Sequence, residues 1–223
     1  PQLHAAVNNW INEIRGSTKY NVIYNKYFKN KKAFKKRIKS EFFSRTGNRI
    51  SKYDDLIKKY ASEIGWDWRL LASLIYQESN FNPGTQSWAG AVGLMQLLPG
   101  TAKSFGISNL QNPEENIKAG TAYLRYLTDY WEQIPDSLTR QKFILASYNA
   151  GPGHVTDARN LTQKFDRDPD QWDGHVEYYL LMKSHPEFYN DEIVKYGYCR
   201  GEEPTKYVRE ITERYQYYAD LLN

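Results

Sequence analysis

Apolar residues recur every three to four positions along most of the chain, and short polar or glycine-containing breaks separate the runs. Leu3, Val7, Trp10, Ile11 and Ile14 predict a first helix, Gly16 and Ser17 a break, and Val22 to Phe28 a second, short helix. Phe34, Ile38 and Phe42 keep a fourfold spacing within a lysine-rich stretch, and the polar run Ser44 to Ile50 follows as a boundary. Ser51 to Asp54 then reads as a capping box for a helix with Tyr53, Ile57, Tyr60 and Ile64 on one face and Gly65 as its stop. Asp67 is expected to cap the next helix, whose buried face is Leu70, Leu71, Leu74 and Ile75 and whose end is marked by Asn80, Asn82, Pro83 and Gly84.

A glycine-rich stretch, Ser87 to Ala102, leads through Pro99 into a short helix ending at Gly106. Asn112-Pro-Glu-Glu115 combines a cap, a first-turn proline and two acids, and predicts a helix to about Trp131. Leu138 to Tyr148 predicts another, broken at Asn149 to Gly153, with two or three more through Met182. Pro204 to Leu222, with Tyr207, Val208, Ile211, Tyr215 and Tyr218 at helical spacing, is the last. No series of period two appears, so the expected fold is mainly α, with at most a small hairpin.

One residue sits badly in this pattern. Glu78 follows Leu74 by four and Ile75 by three, which puts it on the apolar face, in the last turn of its helix. An apolar wall and the negative end of the helix dipole both disfavour a carboxylate. Either Glu78 keeps its proton at neutral pH, as a general acid must, or it bends out to solvent from a frayed helix end.

Totals narrow the classes. At 223 residues, 40% of them hydrophobic, the chain can hold one large domain, or one with an appendage. Mean hydropathy is −0.76 and no apolar run approaches the roughly 18 residues of a membrane span, so no transmembrane segment is expected. The beginning, Pro1-Gln2-Leu3, has the look of a cut or processed fragment. A single cysteine, Cys199, excludes an internal disulfide, and His4, His154, His175 and His185 lack ligand spacing, so neither metal nor cofactor is expected. Aromatics make up 15%, with 19 Tyr and 6 Trp, whose flat faces suit sugar rings as well as ordinary cores. The net charge of +4 is uneven: nine Lys/Arg against Glu41 alone between Lys26 and Arg45 give a local +8. Its core, Lys29 to Lys39, could meet nucleic acid or an anionic surface, but Phe34, Ile38 and Phe42 favour a helix with a solvated basic face. No nucleic-acid partner is expected.

Four motifs in order resemble one family: Glu78-Ser-Asn-Phe81; Gly93-Leu-Met-Gln96 with Pro99 and Thr101-Ala102; Asn116-Ile-Lys-Ala-Gly120; and Ala146-Ser-Tyr-Asn-Ala-Gly151. This is the lytic murein transglycosylases of the soluble-lytic-transglycosylase type. The tail from Tyr196 to Val208 looks most like its membrane-bound members, in which a periplasmic solute-binding-type domain precedes the catalytic one. The resemblance implies a lysozyme-like helical domain, related to goose-type lysozyme, over residues 51–223. Residues 1–50 would then be a helical remnant of the preceding domain plus a basic linker.

It also implies cleavage of the β-1,4 bond between N-acetylmuramic acid and N-acetylglucosamine, with a 1,6-anhydromuramoyl product. Glu78 would be the sole acid and base. Ser79, Ser87, Met95, Gln96, Tyr148, Asn149, Glu203 and Tyr207 would bind substrate. The partner would be the glycan strands of peptidoglycan, in the periplasm at the inner face of a Gram-negative outer membrane, with peripheral membrane association through the full-length protein. Leu98, where many relatives carry Met, and Pro204-Thr205 after Glu203 are departures from the pattern. A goose-type hydrolase that uses water, and a glycan-binding scaffold with a retired site, are the competing readings.

Overall fold

The computed structural model describes residues 49–222, together with Val7. The expected helices of residues 1–28 and the basic stretch Lys29 to Lys39 therefore lie outside the described residues. Contacts divide the chain into two compact units at Ser51/Lys52, and the second unit is the one built up below.

Its elements are helices α1 (Asp54–Glu63), α2 (Trp68–Ser79), α3 (Pro99–Ser104), α4 (Pro113–Tyr130), α5 (Ser137–Ala150) and α6 (Pro152–Lys164). A kinked turn, Trp172–Val176, leads into α7 (Glu177–Met182), and α8 (Pro186–Tyr189) and α9 (Glu202–Leu221) complete the order. Caps place several of these as the sequence predicts. Asp67 accepts from the Arg69 amide and Asn112 from Glu114 and Glu115; Asp136, which the sequence pattern does not mark as a cap, accepts from Thr139 and starts α5 at Ser137. Gly65 takes a left-handed φ of 68° just past α1. The first helix corrects one expectation: its N-cap is Tyr53, which makes no side-chain cap bond, so α1 opens at Asp54 and not directly after Ser51. The last helix starts two residues before Pro204, which brings Glu203 inside its first turn.

Helices α9 and α5 organise the packing, with α9 lying against both α2 and α5. Helix α5 has no polar stripe where it matters: Phe143, Ile144, Leu145, Ala146 and Ser147 are consecutive and all buried. A helix whose middle turn is covered on every side shows little amphipathic period there. The core around it includes Trp131, Phe143 and Trp172, whose ring centroids stand 5.0 and 5.5 Å apart in sequence, and the Trp131 indole donates to Ser147 Oγ at 2.8 Å. On α2, Leu70, Leu71, Leu74 and Ile75 are at most 2% exposed. Each contributes about 2 kcal/mol of burial, which fixes α2 and leaves no freedom in where Glu78 stands.

Two isolated antiparallel bridges, Gln86 to Val92 and Val92 to Leu97, lie in the glycine-rich loop between α2 and α3. This is the small hairpin-like feature that the sequence allows. Among the described residues no helix is long and apolar enough to cross a membrane.

Candidate active site

The loop from Gly84 to Leu98 is held against α2 and α4 by buried polar groups. Asn116, fully buried on α4, accepts from the Met95 amide at 2.8 Å and donates to the carbonyls of Val92 and Leu110 at 2.9 and 3.0 Å. A Cβ on Gly93 would lie 2.2 Å from the Asn116 amide nitrogen, and one on Gly120 would lie 2.2 Å from Met95 Sδ. The two glycines and Asn116 therefore form one fitted contact between loop and helix. Ser79 closes the loop from the other side: its buried hydroxyl is 2.8 Å from the Leu94 carbonyl and 3.2 Å from that of Ile75.

Against this frame stands Glu78, in the last turn of α2 just before Asn80, which caps the helix with a left-handed φ of 50°. Tyr207, buried on α9, donates its phenolic hydrogen to Glu78 Oε1. Two opposed effects act on the acid. Burial is the larger and raises its pKa, the Tyr207 bond to the ionised form lowers it, and the balance stands at about 7. No other carboxylate contributes to that balance. Tyr148, near the end of α5, donates to the Met95 carbonyl at 2.7 Å. Its own pKa is pushed well up, first by burial and then by the charge of Glu78, so the two groups are electrostatic neighbours.

A cleft of about 260 Å³ opens on this centre, lined by Gln77, Glu78, Asn149, Glu203, Lys206, Tyr207 and Glu210. All seven come from three helices: Gln77 and Glu78 from α2, Asn149 from α5, and Glu203, Lys206, Tyr207 and Glu210 from α9. Gln77 is locked by donating to Glu210 at 2.9 Å and accepting from Arg214 at 3.0 Å.

The structure thus gathers Glu78, Tyr148, Asn149, Glu203 and Tyr207. It places the other candidates differently. Met95 is fully buried against Gly120 and offers no side-chain surface to a ligand; its carbonyl, not its thioether, reaches the site by receiving Tyr148. Ser79 is 5% exposed and committed to Leu94. Ser87 accepts from the Ala91 amide at 3.0 Å within the loop. Gln96, at φ 47°, spends its amide hydrogens on the carbonyls of Thr85 and Gly93, both at 2.9 Å. Gln77, Lys206 and Glu210 line the cleft and were not singled out from the sequence. For Lys206 and Glu210 helical spacing carried the signal, since Lys206, Tyr207 and Glu210 follow Glu203 at three, four and seven residues on one face of α9; Gln77, next to Glu78 in the chain, gave none. Among the described residues no three His, Cys, Asp or Glu side chains converge as a metal site would require.

Residues 55–171 match the transglycosylase SLT domain family. The membrane-bound lytic murein transglycosylase F of Desulfosudis oleivorans is 38% identical over 213 residues, covering 96% of this chain and 46% of that protein. Its namesake in Aliivibrio fischeri is 37% identical over 217 residues, covering 96% of this chain and 42% of that protein. The chain thus spans less than half the length of these relatives. Among solved structures, the X-ray structure of an inactive mutant of lytic transglycosylase Slt from Pseudomonas aeruginosa superposes with a TM-score of 0.54 at 24% identity, over 77% of this chain and 24% of that one. At that identity the likeness is one of fold, and the fold is the lysozyme-like helical one. A centre built on Glu78, inside a segment whose motifs fall in the family's order, completes the assignment: the chain belongs to the transglycosylase SLT domain family.

Proposed function

We propose that the unit from Lys52 onward is a lytic murein transglycosylase, cleaving the β-1,4 bond between N-acetylmuramic acid and N-acetylglucosamine through one carboxyl group. The observation that carries this reading is Glu78 held near a pKa of 7 in an open cleft. At neutral pH about half the molecules carry the proton, which suits a group that must first give one and then take one. With Oε1 receiving Tyr207, the transferable proton belongs on the other oxygen. Glu78 protonates the glycosidic oxygen as the bond to C1 breaks. The resulting carboxylate then removes the proton from the muramic C6 hydroxyl, whose oxygen bonds to C1. Charge and atoms balance without water: the leaving sugar gains one hydrogen, and the muramic end loses one and closes as the 1,6-anhydro ring.

Two-carboxylate hydrolases need a second acid as nucleophile or as base for water. Glu203 and Glu210 also line the cleft, which keeps a hydrolytic reading open to test, but neither acts on the titration of Glu78. Asn149 and Gln77 supply amides for sugar hydroxyl or N-acetyl groups, and Tyr148 orders the wall beside the acid. The names of the relatives support peptidoglycan as substrate and the envelope as location, with membrane attachment through parts of the full-length protein. The unit before Lys52 is read as the end of a preceding periplasmic domain. Glu78→Gln is the first test: it should abolish clearing of purified murein sacculi while leaving glycan binding in place. Clearing at the wild-type rate would remove Glu78 from the mechanism.

A further inference from the structure

A second hollow of about 240 Å³ adjoins the cleft and shares Glu203 and Lys206 with it, its remaining lining being Arg200 and Glu202. The proposed chemistry at Glu78 does not use it. Arg200 is exposed, yet its backbone is clamped on both sides. Cys199 before it is buried, and its amide donates to the Lys183 carbonyl at 3.2 Å. Gly201 after it packs so closely on α7 that a Cβ would stand 1.8 Å from the Leu180 carbonyl oxygen. The Arg200 carbonyl itself receives the Glu203 amide at 3.2 Å.

The clamp rests on a buried ion pair that the acid–base centre leaves unused. Lys183 Nζ and Asp157 Oδ2 are 2.6 Å apart with side chains at most 1% exposed, and Asp157 also accepts from the amides of Lys195 and Tyr196 at 2.9 and 2.8 Å. The incoming segment 195–201 is thus fixed at three buried points, and Arg200 is the charged side chain it presents at the hollow. Arg200 forms no ion pair among the described residues. Lys206 has only a long contact, 3.8 Å, to Glu210. A guanidinium carried on a clamped backbone, with a second cation beside it, is a fork for a carboxylate.

We infer that this hollow receives a carboxylate of the peptide stem on the muramic acid bound beside Glu78. This rests on the murein reading above. In that substrate the stem leaves the sugar from the lactyl group at C3 of the same ring whose C1 is cut, so it must occupy space next to the cleft. Glu202 and Glu203 give the hollow both signs of charge, matching a stem that carries free carboxylates together with an amino group. Arg200 is accordingly a specificity residue for stem-bearing strands.

The test is binding, measured by calorimetry on the full chain, with two soluble probes: N-acetylglucosaminyl-N-acetylmuramic acid carrying a tetrapeptide stem, and the same disaccharide without it. The expected result is about tenfold tighter binding of the stem-bearing probe by the wild type. Arg200→Ala should lose that preference and bind both probes at the wild-type stem-free affinity, which also shows that the variant is folded. Arg200→Lys, keeping charge without the fork, should retain part of it. Equal binding of the two probes by the wild type, or an undiminished preference in Arg200→Ala, overturns the inference. The murein reading fails separately, by the wild type leaving sacculi uncut whatever the binding preference.

Discussion

At the scale of the residue, the chemistry turns on one proton. The pKa of Glu78 stands at about 7 against an ordinary 4.5, so the native state holds this proton more tightly than the unfolded chain does. Between those values native stability falls as pH rises, and above 7 the ionised, buried carboxylate costs on the order of 3 kcal/mol. Glu78→Gln should therefore raise the melting temperature at pH 8 and lose the advantage near pH 4, where both states of the wild type are protonated. Calorimetric melts at the two pH values check this, and an equal effect at both would remove the burial argument. Tyr207 acts in the opposite sense, because its phenol bonds the ionised form. Tyr207→Phe should move the alkaline limb of the pH–rate profile upward while lowering the maximal rate. A downward move would mean that the phenol stabilises the protonated form. The position of Glu78 on an apolar helix face was readable from spacing alone. The counterweight from Tyr207 was not, since nothing local says that residue 207 crosses 129 positions to reach residue 78.

At the scale of the element, the site depends on a loop that has almost no regular structure of its own. Asn116 replaces it with three side-chain hydrogen bonds, two of them to loop groups at Val92 and Met95. Asn116→Ala takes this partner from the Leu110 carbonyl and the Met95 amide, while the Val92 carbonyl keeps the Leu97 amide, and should cost about 3 kcal/mol, read by chemical denaturation, with a larger fractional loss of activity than of fold. Gly93→Ala should behave alike, since φ is 85° and the new methyl meets Asn116. A fully active, equally stable Asn116→Ala would show that the loop is held by other means. This clamp also engages the side chains of Met95 and Gln96, for which the family resemblance implies ligand contacts. A Gly-Leu-Met-Gln run gives no sign of which side chains turn inward. Here tertiary packing sends Met95 into the core beside Gly120 and turns the Gln96 amide onto its own loop. The opening of α1 shows the same limit, as Ser51 and Asp54 have the spacing of a capping box, yet the helix begins at Asp54.

Across the whole molecule, the helical class follows from the 3.6-residue period, and the caps at Asp67 and Asn112 mark the starts of α2 and α4. What the period cannot report is a helical turn buried all round, such as Phe143 to Ser147 of α5, or a charge pair hidden in the interior. Lys183 and Asp157 are such a pair, tying α6 to the turn after α7 and to the segment at Lys195 and Tyr196. Burial lowers the Lys183 pKa even though Asp157 pulls it up. Asp157→Ala strands a buried lysine and two amides, and should cost about 3–5 kcal/mol in denaturant unfolding. Changing Lys183 to Met as well should recover a good part of this, and no recovery would mean that the lost amide contacts dominate.

The claim that joins these scales is that a single half-buried carboxyl, Glu78, cuts glycan strands by internal transfer. Mass spectrometry of the fragments released from purified murein sacculi tests it most directly. The account predicts fragments ending in 1,6-anhydromuramic acid, each lighter by one water than its hydrolytic counterpart, and none from Glu78→Gln. Fragments with reducing muramic ends would contradict it and assign water activation to a second carboxylate of the cleft.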